Sequence, residues 1–158
     1  MFTKIENQIK AVFTNDADKL RIRILNYYHR YNIKPISHHL EQIIYSFLNK
    51  SRKFNQVQLK PRLNPEYDIL INNFYKIDLK SSLSGDRFLT KTISFTKTFL
   101  ICVYNLNKIK FYWLNSQDQE KYLANFKFNQ SMRHFRFLNL NRFLKPILIL
   151  EFPEFKIF

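Results

Sequence analysis

The run Arg87–Tyr104, RFLTKTISFTKTFLICVY, is dominated by Thr, Ile, Phe and Val. Branched and aromatic side chains suit a pleated surface and lose rotamer freedom in a helix. A chain that carries such a run has to build a sheet. Its most apolar part, Thr98–Tyr104, and the later Pro146–Leu150 (PILIL) are both far too short to span a bilayer. Ile109–Trp113 (IKFYW) follows a short Asn-containing turn and adds a hairpin strand, and PILILEF reads as a final, well-buried strand. The only glycine, Gly85, lies in the polar turn SSLSGD.

Helical spacing appears elsewhere. Ile5, Ile9 and Phe13 recur every four residues and predict a short amphipathic helix over 3–13. Leu40, Ile43, Ile44, Phe47 and Leu48 form the clearest apolar stripe, predicting a helix capped by Ser37 and running to about Lys50. Ser116 with Gln119 makes a capping box for a helix over Gln117–Phe126, and SMRHFRFLNL reads as another helix. Strict alternation from Leu20 to Ile24 instead favours a strand, apolar side inward, with Arg21 and Arg23 outward and about 6–7 Å apart. Residues 65–75 stay open on local grounds. NPEY resembles a helix start, whereas YDILI places Tyr67, Ile69 and Ile71 on one strand face. The order is that of an α+β sandwich, helices on one sheet face, in one domain.

The charge narrows the function. There are 26 basic residues against 12 acidic, a net +14. Phe, Tyr, Ile, Asn and Lys dominate the composition, as codon pressure in an AT-rich genome would produce, but that pressure favours Asp and Glu as much as Arg. Such an excess on a small chain implies a polyanionic partner. It is also uneven: Lys19–Arg62 holds ten Lys or Arg and one acid, Glu41, and Lys121–Lys145 holds six and none. Both windows are rich in Tyr, Phe and Asn, companions expected where bases stack and phosphates are neutralised.

Catalysis finds little support. The acids are scattered singly, and Glu66 and Asp68 share a strand face without a base. His29, His38 and His39 lack Asp, Glu or Cys at ligand spacing, and a chain with one glycine has no phosphate loop. Neither enzyme activity nor a metal or cofactor is expected. Cys102 stands alone, so no disulfide framework exists, and it reads as a small buried hydrophobe. The N-terminus has no secretory pattern. With Glu6 and no arginine it does not fit a mitochondrial transit peptide either, so a role in an organelle implies a gene encoded there.

Four segments, in order, resemble the universal small-subunit ribosomal protein S-ten family in its organellar form. RIRILNYYHR (Arg21–Arg30) is similar to that family's basic first strand, and YDILINNF (Tyr67–Phe74) to the first half of a later one. GDRFLTKT (Gly85–Thr92) keeps the acid, aromatic and threonine of a third motif, and FLNLNRFLKPILIL supplies the closing Leu138, Leu140 and strand. The resemblance implies a ferredoxin-like β-α-β-β-α-β sandwich with a long protruding hairpin, and makes Tyr67–Ile71 a strand. Residues 1–18 would then be an N-terminal extension, 19–104 the strand, helix and hairpin, 105–129 an insertion, and 130–158 the last helix, strand and tail.

It further implies a structural component of the small mitochondrial ribosomal subunit in the matrix, bound to rRNA in the subunit head and to neighbouring ribosomal proteins, with no membrane contact. The candidate rRNA-binding residues are Arg21, Arg23, His29, Arg30, Arg52, Lys53, Lys60, Arg62, Lys76, Lys80, Arg87, Lys91 and Lys97. The apolar tail (Phe152, Phe155, Phe158) and Trp113 are expected to dock neighbouring proteins. A peripheral accessory subunit of a respiratory complex and a free-standing RNA-binding factor are the competing readings.

Overall fold

The computed structural model describes residues 2–60, 66–83 and 85–155. Three helices come first: α1 (Thr3–Asn15), α2 (Ala17–Tyr31) and α3 (Ser37–Lys50). Strands β1 (Val57–Leu59), β2 (Ile69–Ile71), β3 (Tyr75–Ser82), β4 (Arg87–Thr90), β5 (Thr98–Asn105) and β6 (Lys108–Leu114) follow. The chain continues through α4 (Ser116–Lys121), β7 (Phe126–Asn129), β8 (His134–Leu138), α5 (Leu140–Phe143) and β9 (Leu148–Glu151). The class is the expected mixed α+β.

One sheet runs β1-β2-β3-β5-β6-β9, antiparallel except where β3 lies parallel to β5. The second is β4-β8-β7. Alternation along β5 and β6 explains the layering. Leu100, Cys102, Tyr104, Ile109, Phe111 and Trp113 pack under α1–α3, with Ile9, Phe13, Leu20, Ile24, Ile44 and Phe47. Phe99, Ile101, Val103, Tyr112 and Leu114 pack on the other face, against Phe88, Phe126 and Phe137 of the small sheet. The chain is therefore three layers: helices, large sheet, small sheet. No helix among the described residues is long and apolar enough to cross a membrane.

With glycine nearly absent, other residues take the left-handed backbone positions; among the described residues half are asparagine, and Ser37, Arg52, Leu106 and Arg133 hold the rest. Asn32, which ends α2, and Asn72, Asn73 and Asn139 in turns all have φ between 52° and 65°.

Several expectations change. Leu20–Ile24 is helical, because Leu20, Ile24 and Tyr28 recur at four-residue spacing and all three are buried. Five alternating residues satisfied both periods, and the longer helical stripe prevailed. Ser37 caps nothing; the residue before α3 is Ile36, and the Ser37 amide instead donates to Ser81 Oγ at 3.1 Å. The cap of α4 is Asn115, whose side chain accepts from the Asp118 amide at 2.8 Å, and α4 ends at Lys121. SMRHFRFLNL is β8 followed by the start of α5. The longest hairpin is β5–β6, and it lies inside the sheet rather than reaching away from the body. β9 is an edge strand with Ile149 exposed. Residues 105–129 are not an exposed addition, since β6 supplies five core side chains.

Beside the lower core lies a buried polar cluster. Asp78 accepts from Lys97 Nζ at 2.8 Å, with Lys80 Nζ 3.4 Å from its other oxygen. Lys97 also reaches Thr92 Oγ1 at 3.2 Å. Asp68 takes the Leu79 amide at 2.7 Å. Burial, reinforced by the Asp78 and Glu41 charges, pushes the Asp68 carboxyl up to about 7 from its ordinary 3.8. A carboxyl whose folded value is raised holds its proton better in the folded state, so its contribution to stability falls as pH rises between these two values. Wild-type protein should thus lose thermal stability from about pH 4 to pH 7 through this group, and Asp68→Asn should flatten that slope. Melting curves across this range check it; parallel curves would contradict it.

Candidate nucleic-acid interface

On α2, residues at helical spacing separate by function. Leu20, Ile24 and Tyr28 face the core, whereas Lys19, Arg23, Asn26, Tyr27, Arg30 and Tyr31 line the side toward α3. From α3, His39, Gln42, Ile43, Ser46 and Lys50 complete the walls. Two hollows of about 490 and 360 Å³ share Arg23 and Asn26 and form one open groove. Asp16 is the one acid in its lining, at the Lys19 end. The larger hollow has none.

The aromatic rings form a ladder. Tyr27 lies 4.6 Å from Tyr31 and 5.3 Å from His39, and the Arg30 guanidinium sits 5.4 Å over Tyr31. Arg23 donates to Ser46 Oγ at 3.0 Å, which fixes the guanidinium between the helices and leaves other N–H groups to point outward. Cations with planar rings and amides suit an unpaired nucleic-acid strand, because the rings stack on bases and the cations neutralise phosphates.

The loop joining the helices is pinned to the sheet by two hydrogen bonds. The Tyr104 hydroxyl donates to the Pro35 carbonyl, and Lys34 Nζ donates to the Leu106 carbonyl at 2.8 Å. Burial raises the Tyr104 hydroxyl's pKa well above its ordinary value, so it stays a donor.

The predicted cations scatter. Arg23 and Arg30 enter the groove. Arg21 does not, because two residues along a helix are about 200° apart. Its Nη2 meets both Glu154 oxygens at 2.5 and 2.8 Å, its Nε donates to the Glu151 carbonyl at 2.9 Å, and it lies over the Phe152 ring. That contact holds the Glu154 carboxyl below its ordinary value. His29, exposed on α2, lies near Tyr28 and Glu154. Arg52 and Lys53 are exposed in the turn beyond α3, close to the Lys50 end of the groove. Lys60 and Lys76 flank the Tyr67 ring at 5.4 and 5.3 Å. Lys80 and Lys97 serve Asp78, and Lys97, 3% exposed, is unavailable to RNA. Arg87 and Lys91 belong to the small sheet and its end. Arg62 and Phe158 lie outside the described residues.

The expected protein-docking aromatics are also internal. Trp113, Phe152 and Phe155 are buried, and Phe152 stacks on Phe155 with centroids 4.4 Å apart. They close this chain's own core. The sequence leaves open which of Tyr27, Tyr28 and Tyr31 stacks on a base; Tyr27 and Tyr31 line the groove and Tyr28 is core, while Lys19, Lys50 and His39 were missed, although the 19, 23, 27, 30 and 31 spacing carried the signal once α2 is read as a helix.

No protein-family model matches the chain, and no curated protein matches it.

The two arginine environments separate stability from binding. Arg21→Ala should lower the melting temperature and leave affinity for a single-stranded RNA unchanged. Arg30→Glu should shift stability by no more than about 0.5 kcal/mol and weaken that affinity, and Tyr27→Ala should cost it about 1–3 kcal/mol. Melting curves and fluorescence anisotropy on the same samples distinguish them.

Proposed function

We propose that the chain is an RNA-binding structural component of a ribonucleoprotein, the small subunit of a mitochondrial ribosome. The observation that carries RNA binding is the groove between α2 and α3, where cations, aromatic rings and amides converge with an acid at one end only. The net charge of +14 agrees with a polyanionic partner. The ribosomal setting rests on the resemblance of segments 67–74, 85–92 and 140–150, since residues 134–138, expected in the last helix, form β8. Segment 21–30, which that family places in a strand, is helical here and lends it no weight. In this reading the protein lies in the mitochondrial matrix, beside rRNA and neighbouring ribosomal proteins of the subunit head. At residues 19–31 the surface offered to RNA is the groove between two helices, in place of the expected basic strand.

Sedimentation tests the setting. The protein should travel with the small subunit and leave it in high salt. Recovery in the membrane pellet after carbonate washing would instead favour the respiratory-complex reading. Isolated protein tests the groove: if Lys19, Arg23, Arg30 and Lys50 each meet a phosphate, the slope of log affinity against log salt for a single strand should be about −3.

A further inference from the structure

The small sheet turns its inner face, Phe88, Phe126 and Phe137, against β5 and β6. Its strand register determines what points the other way. Lys127 pairs with Arg136, and Arg136 pairs with Leu89, so these three side chains form one row across the outer face. Leu138, opposite Arg87, and His134, opposite Asn129, flank the row. Leu89 and Leu138 are 47% and 40% exposed, so no layer of the described residues covers this face.

Two cations directly opposite on neighbouring strands repel one another. Here neither Lys127 nor Arg136 makes an ion pair among the described residues, and Arg136 Nε is buried without a hydrogen-bond partner. Arg133, in the turn between β7 and β8, and Lys91, just beyond β4, extend the positive field at its margin. Residues 121–145 contain no acid to offset it. An anion seated between Lys127 and Arg136 would remove the repulsion and give a guanidinium its bidentate partner.

We propose that this outer face is a second RNA-binding surface, one that grips the phosphate backbone of a duplex. The inference rests on the reading of the chain as an RNA-binding protein and goes beyond it. The two surfaces differ in chemistry. The helix groove offers Tyr27, Tyr31 and His39 for stacking, whereas His134, at the margin, is the one ring among the outward positions of β4, β7 and β8. A flat, basic face without large rings contacts backbone and shape rather than splayed bases. The surfaces also lie on opposite sides of the three layers, about 20 Å apart from helix layer to small sheet. One molecule would then hold an unpaired strand on one side and a duplex on the other, bridging two RNA segments.

The test uses the full chain with two labelled probes, an unstructured single strand and an RNA duplex of about 16 base pairs. Wild-type protein should bind both, and together they should form a ternary complex. Lys127→Glu with Arg136→Gln should weaken duplex binding roughly tenfold and reduce its salt slope by about 2. Single-strand binding should be unchanged. Arg30→Glu should do the reverse. Because Arg136 is partly buried, Lys127→Glu alone serves as the variant that leaves the packing intact, with about half the effect on the slope. Single-strand binding that persists while duplex binding ignores the sheet variants would overturn this inference alone. The same result with loss of binding to an acidic peptide would make the face a protein surface. Failure to bind either probe would overturn the RNA reading itself.

Discussion

The hairpin of β5 and β6 is apolar on both faces, and every other layer exists to cover one of them. Leu100, Cys102, Tyr104, Phe111 and Trp113 require the helices above. Phe99, Ile101, Val103, Tyr112 and Leu114 require the small sheet below. Truncating one fully buried phenylalanine such as Phe111 to alanine typically costs about 3–5 kcal/mol, against a total stability of about 5–15 kcal/mol for a domain. A strand pair buried on both sides therefore fixes the three-layer arrangement. That arrangement in turn holds the two charged exteriors apart.

The positive charge divides between support and display. Arg21 clamps the C-terminal segment, Lys97 and Lys80 neutralise Asp78, and Lys108 lies 3.5 Å from Glu151. These cations sit where an acid is available. The larger hollow of the groove has no acid in its lining, and neither Lys127 nor Arg136 makes an ion pair among the described residues. The acids are few enough that their positions decide which cations are structural. This is the physical basis for assigning the remaining ones to a polyanion.

Much of the architecture was legible locally. The helices over 3–13 and 37–50, the β-rich run, the strand at Ile109–Trp113 and the burial of Cys102 follow from apolar spacing and side-chain shape, and all appear. The two mistaken element types share one cause. Short segments such as Leu20–Ile24 and SMRHFRFLNL satisfy two periods at once, and only neighbours choose between them. Tyr28 packs 4.6 Å from Phe155, a contact across the whole chain that commits α2 to a helix and turns Tyr27 outward.

Composition and periodicity are local properties, and they set the class, the excess of positive charge and the windows where it concentrates. Which cations pair with carboxylates and which do not emerges with the packed chain, because that depends on acids far away in the sequence. Glu154 reaches Arg21 across 133 residues, and Asp78 reaches Lys97 across 19. Packing likewise turned the aromatic tail from a docking surface into core, since Phe152 and Phe155 close the space between α2 and the sheet edge that no local pattern reveals.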